Sequence, residues 1–289
     1  MQKKKPFANF SKNKFKFLWV VALRCEANAL ITKFKLKNFS SRSNLPIYLN
    51  HENGHALVIS GVGTVKSGVG AMYLNNVVCP GPYAAWINIG IAGHCESPVG
   101  TFFQAIKVVN RDSGKSFFPG LRLSDVPNIG ELHTVSSPES KFDFPGLYDM
   151  EASGFCEIAP SFSCNELTFV FKIVSDTSEK PSSLISKKMV LELFERNFLT
   201  IDVLLKTISR IVSQEEVRLA GPVKIEEITS SLHFTETNYF RLQKLCQKWC
   251  CVFPEKSLYE KASKFSSAKD LLKSMELDIA EKVQNWSFK

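Results

Sequence analysis

The sequence predicts an α/β fold, a sheet covered on both faces, followed by a helical C-terminal extension. Apolar runs of strand length alternate with segments of helical spacing from Phe15 to Val174. Glycine-rich segments directly follow two of those runs, at Gly61-Val-Gly63 and Gly90-Ile-Ala-Gly93. Beyond Lys180-Pro-Ser-Ser183 the strand pattern stops and helical spacing takes over.

Taken in order, Phe15 to Leu23 reads as a first strand. Ala27, Leu30, Ile31 and Phe34 then give helical spacing over Glu26 to Lys35. His55 to Ser60 is a buried strand, and a helix is expected from Lys66 to Asn75. Tyr83 to Ile89 and Phe102 to Val109 are strands, and Leu132 to Ser136 is a short one. Met150 to Glu157 starts a helix, and Leu167 to Val174 is a nearly continuous apolar strand. Leu184 to Glu216 forms one long or broken helical stretch, with Gly221-Pro222 as a boundary signal. The expected divisions are a basic tail over 1–14, an α/β domain over 15–214 and a helical segment over 215–289. Within that last segment Ile228 to Leu242 reads as helix, turn and helix, with Thr235 or Thr237 as N-cap.

Composition narrows the classes. A chain of 289 residues with 44% hydrophobic content can bury a full core. No apolar run reaches the ~18 to 20 residues of a membrane helix. Arg24 and Glu26 closely follow the early run Phe17–Leu23, so no signal peptide is expected. The net charge of +8 is concentrated in residues 1–40, where Glu26 is the one acid. No aromatic-basic motif accompanies it, and nucleic acid is not an expected partner. The eight cysteines are scattered, which suits a reducing cytoplasm. Cys246, Cys250 and Cys251 lack the paired spacing of a zinc site and read as buried thiols on a helix.

The chemistry rests on carboxylates. Asp149-Met-Glu-Ala152 and Lys172-Ile-Val-Ser-Asp176 put one acid at a helix start and another at a strand end. Two such groups about one sugar apart suit cleavage of a glycosidic bond. Glu26 follows the first strand, where it either faces the same crevice or serves as an N-terminal helix acid. The two glycine segments at strand ends suggest one shared crevice, although each alone is also explained by a turn that needs positive φ.

Together, ALxxE at the first strand, SGVG, NIGIAG, DMEA and KIVSD resemble the purine nucleoside phosphorylase and uridine phosphorylase superfamily. The type most resembled is the methylthioadenosine/S-adenosylhomocysteine nucleosidases, over about residues 15 to 214. The resemblance implies a mixed, twisted sheet flanked by helices and a homodimer. It also implies a purine (thio)nucleoside as substrate. Glu26 would activate water, Glu151 would grip the ribose hydroxyls with Met150 packed against the sugar, and Asp176, with Ser175 beside it, would protonate the purine. Gly63 and Gly93 would border the substrate. No metal or organic cofactor is implied. Departures are Lys172 in place of an arginine, His94 in place of a small residue, and an altered base-reading segment, Val135 to Phe142. A phosphorylase would need a cation for phosphate, and Arg24 is the nearby one. A binding protein without catalysis is the remaining alternative.

Overall fold

The computed structural model describes residues 15–39, 45–126, 128–139, 142–220 and 225–284. The expected basic tail and the Gly221-Pro222 boundary lie outside these residues. The chain divides into two compact units, Met1–Val212 and Ser213–Lys289.

The first unit is built on one mixed sheet. Its strands are β1 (Phe17–Val21), β2 (Lys37–Phe39), β3 (Ile47–Asn50), β4 (His55–Ile59), β5 (Ala85–His94), β6 (Phe102–Asn110), β7 (Ser116–Phe117), β8 (Asn128–Thr134), β9 (Leu147–Asp149) and β10 (Thr168–Asp176). The helices are α1 (Arg24–Lys33), α2 (Thr64–Val78), α3 (Ala152–Ile158), α4 (Lys187–Arg196) and α5 (Phe198–Ala220). Strand β1 lies between β4 and β5, parallel to both. Strand β10 runs parallel to β5 and antiparallel to β6. Because β6, β8, β9 and β5 are also paired in succession, these strands and β10 close on one another, and β1, β4, β3 and β2 extend from β5.

Side-chain alternation in β10 sorts the two faces. Phe169, Phe171 and Ile173 join the core with Leu30, Phe194 and Ile201 from α1, α4 and α5. Val170 and Val174 join the other core with Leu74 of α2 and Phe155 of α3. Every residue of β10 is buried, which explains its nearly continuous apolar reading.

Helices α2 and α3 meet almost backbone to backbone. A Cβ on Gly154 would lie 1.9 Å from the Thr64 carbonyl oxygen, so no other residue fits there. This contact brings the N-termini of both helices together.

Several boundaries differ from the sequence reading. The Gly90–Gly93 segment is no turn: it continues β5 and pairs with β10 up to Asp176. The 150–157 helix begins only at Ala152, with Glu151 as its N-cap. The long helical stretch breaks at Asn197, whose side-chain amide donates to the carbonyls of Leu193 and Gly100.

The second unit contains α6 (Ile225–Ser231), α7 (Glu236–Val252), α8 (Leu258–Ala262) and α9 (Ala268–Gln284). Its core includes Leu242, Trp249, Leu271 and Met275. Thr235 caps α7 by accepting the Asn238 N–H. Cys246 is buried and Cys250 half-buried, while Cys251 is exposed. Positions 246 and 250 share a helix face, whereas 251 is turned about 100° from 250, which corrects the expectation of three buried thiols. Among the described residues, no helix is long and apolar enough to cross a membrane.

Candidate active site

One pocket of about 220 Å³ opens at the C-terminal ends of β1, β5 and β10. Glu26, Gly93, Met150, Glu151, Ser175 and Asp176 all line it. The three acids come from α1, the start of α3 and the end of β10, so segments far apart in sequence converge in one hollow. Gly63 is outside the pocket wall, but its backbone N–H donates to Glu151 Oε1 at 3.1 Å.

Glu26 is held from two sides. Its Oε2 accepts the Leu23 N–H and its Oε1 accepts the Ile91 N–H, both at 2.8 Å. A Cβ on Gly90 would lie 2.8 Å from Oε1, so a glycine at that point makes room for the carboxylate. Burial pushes the Glu26 carboxyl up to about 7, against the pull of both N–H donors and the nearby Lys172 ammonium. Glu26 thus stands in both positions considered from sequence, in the first turn of α1 and in the pocket.

Glu151 accepts Gly63 N–H with one oxygen and its neighbour Met150 N–H with the other. Gly63 has φ +114°, a conformation in which a side chain would be strained. Burial and the Asp149 charge raise the Glu151 carboxyl, opposed by Lys172 and the two N–H groups. Asp176 accepts the Ser175 hydroxyl, which also reaches the Ala92 carbonyl. Burial raises Asp176, and the Ser175 hydrogen bond works the other way. A carboxyl shifted upward retains its proton nearer to neutrality.

Beneath the pocket floor lies a buried ion pair. Lys172 Nζ is 2.8 Å from Asp149 Oδ2, and both side chains are essentially inaccessible. Asp149 also accepts the Thr134 hydroxyl and the Ala152 N–H.

The altered 135–142 segment does reach the pocket. Phe142, in a left-handed backbone conformation with φ 49°, packs its ring over Gly93. A Cβ on Gly93 would lie 2.6 Å from that ring and 3.0 Å from Asp176 Oδ2. Tyr148 meets Phe142 edge-on at 5.2 Å between ring centroids. The closeness of Phe142 to Asp176 depends on a long-range approach that no local pattern signals.

Two other residues are accounted for. His94 Nδ1 accepts the N–H groups of Glu96 and Ser97, and its ring stacks on Phe103, so it fastens a turn. Arg24 lies over the Tyr48 ring and donates to its hydroxyl. None of the described residues lining the pocket is a lysine or arginine.

This mixed sheet, flanked by helices and opening at the carboxyl ends of its parallel strands, is similar in fold to solved nucleosidase structures. Among solved structures with this fold is Arabidopsis thaliana 5′-methylthioadenosine nucleosidase in apo form. It is 17% identical with TM-score 0.55, over 70% of this chain and 97% of that one. Streptococcus pneumoniae MTA/SAH nucleosidase in complex with 8-aminoadenine is 19% identical, with TM-score 0.53, over 65% and 97% of the two chains. A futalosine hydrolase mutant of Helicobacter pylori is 14% identical, with TM-score 0.52, over 65% and 99%. No family model matches the chain, and no curated protein matches it.

Proposed function

We propose that this protein is a nucleosidase that hydrolyses the N-glycosidic bond of a purine nucleoside or thionucleoside such as methylthioadenosine. The observation that carries the reading is the meeting of Glu26, Glu151 and Asp176 in one pocket.

The chemistry follows from where charge develops. As the glycosidic bond breaks, positive charge builds on the ribose and negative charge on the departing base. Asp176, with its raised pKa, protonates the purine at N7, and Ser175 orients it. Glu151 accepts the ribose hydroxyls, with Met150 against the sugar face, and its charge favours the cationic ribose. Gly63 fixes Glu151 through its N–H, and Gly93 leaves room for Phe142 beside the base. Glu26 takes a proton from the water that attacks the anomeric carbon. Positioned acids and bases of this kind supply ~10²- to 10⁴-fold each.

Water is favoured over phosphate as nucleophile. The pocket wall presents the carboxyl groups of Glu26, Glu139 and Glu151 beside the proton-donating Asp176 and, among the described residues, no cation. Phosphate entering it would meet like charge. Arg24, the cation that the sequence offered for phosphate, is engaged with Tyr48, and Lys172 is buried and paired with Asp149.

A homodimer accords with the exposed apolar stripe of Val65, Val69 and Met72 along α2, continued by Val62 just before the helix. Val62 also lines the pocket, so a partner covering the stripe would narrow its mouth. The eight free thiols suit a cytoplasmic location.

Incubation with methylthioadenosine, adenosine and inosine, with and without phosphate, tests the activity. Release of free base without phosphate is expected. Release that requires phosphate would make the protein a phosphorylase, and tight binding without turnover a nucleoside-binding protein.

A further inference from the structure

Lys172 is the residue of this site that the proposed chemistry leaves unused, and its burial calls for an explanation. An ammonium enclosed in a protein must be paired, because desolvation otherwise drives it neutral. Lys172 is 1% exposed and stands on β10, four residues before Asp176. Its one hydrogen-bonded ion pair is with Asp149, the last residue of β9, two residues before Glu151. Asp149 in turn receives the Ala152 N–H, so the pair ties β10 to the turn that carries Glu151.

The charged and titratable groups facing Lys172 are Asp149 and Glu151 around the start of α3, Cys156 within α3, and Glu26 from α1. Three acids and one ammonium share this buried region. Burial works to discharge Lys172, but Asp149, Glu151 and Glu26 together outweigh it and hold the proton on. By reciprocity, the ammonium lowers the proton affinity of Glu26 and Glu151.

We propose that Lys172 is a positioning residue: through Asp149 it fixes the turn bearing Glu151, and its charge balances the buried acids so that Glu26 can ionise at neutral pH. The kinetic consequence rests on the nucleosidase reading. The charge-balancing role itself can be measured without turnover.

The test compares wild type with Lys172→Met, Lys172→Arg and Asp149→Asn. The acid limb of kcat/KM against pH reports ionisation of Glu26. Carboxyl-carbon NMR on glutamate-labelled protein reports the same titration directly, with Glu26→Gln identifying the signal. Removing the cation should move the Glu26 titration to higher pH by about one unit or more. Lys172→Arg should leave it near the wild-type position. Asp149→Asn, which frees Lys172 to act on the remaining acids, should move it to lower pH. A purely structural role predicts no shift, or the same direction for Lys172→Met and Asp149→Asn, and either result overturns the proposal. If Lys172→Met does not fold, Asp149→Asn decides: a downward shift supports the proposal, and no shift or an upward one overturns it. Wild-type protein that cleaves no nucleoside yet shows the NMR shifts would overturn the nucleosidase reading alone. Active protein with unmoved titrations would overturn the role of Lys172 alone.

Discussion

The Glu26 carboxylate accepts the backbone N–H of Ile91 at 2.8 Å, across 65 residues of sequence. This bond ties the first turn of α1 to the carboxyl end of β5, where the pocket opens. It also leaves a fully buried acid whose pKa is pushed up to about 7. As the proposed base, Glu26 must be ionised to act. The value of kcat/KM should therefore rise with pH through an acid limb near 7. Asp176 must retain its proton to act, and burial, which raises its carboxyl, favours that form. Initial rates at low substrate concentration across pH check the limb; a flat profile from pH 5 to 8 would contradict the assignment.

The same shift makes a stability prediction. A carboxyl whose folded pKa exceeds its unfolded value stabilises the fold at low pH, and that contribution is lost as pH rises. For Glu26 the loss runs from about 4.5 to about 7 and amounts to about 3 kcal/mol. Glu26→Gln carries no such loss. Its stability relative to wild type should grow by about that amount across this window and then level off. Urea titrations at successive pH values measure the difference.

His55 contributes with the opposite sign. Its ring is stacked against Phe17 and Phe34, Nδ1 accepts the Trp19 indole N–H, and burial lowers its pKa to about 4. Its stability contribution is present above about 6.5 and is lost as pH falls toward about 4, again about 3 kcal/mol. In wild type the Glu26 and His55 effects largely cancel over their shared window. His55→Leu should unmask a steady loss of stability as pH rises from 5 to 7. It should also cost about 1–3 kcal/mol at all pH values, because Trp19 is left without an acceptor. The same urea series reads both effects.

The contact between α2 and α3 admits no side chain at position 154. Gly154→Ala must separate the helices, because the added carbon would lie 1.9 Å from the Thr64 carbonyl oxygen. Overpacking of this kind costs about 1–3 kcal/mol. The shift also moves Glu151 relative to Gly63, and a displacement of about 1 Å can lower kcat/KM by about 10²-fold. Thermal denaturation together with kcat/KM checks both; a fold and rate like wild type would show that α2 and α3 do not position Glu151.

Much of this was legible in the sequence because its signals are local. Strand β10 and helix α2 announce themselves by apolar runs and spacing, and the motifs carrying Glu26, Glu151 and Asp176 led to one pocket. What escaped is non-local. Strands β2 and β3 pair with each other at the sheet edge; β2 is exposed throughout and β3 is only four residues long, so neither gives a pattern long enough to mark a strand. Gly90 and Gly93 read as a turn, yet they lie in β5, and their missing side chains leave space for Glu26 and Phe142. The Lys172–Asp149 pair spans two strands, and neither residue's neighbours in sequence point to the other.

The most direct measurement is single-turnover release of purine in phosphate-free buffer by wild type, Glu26→Gln, Glu151→Gln and Asp176→Asn. The account predicts base release by wild type and a loss of ~10²-fold or more in each folded variant. Release at the wild-type rate by any of the three, or none from wild type with any purine nucleoside offered, would contradict it.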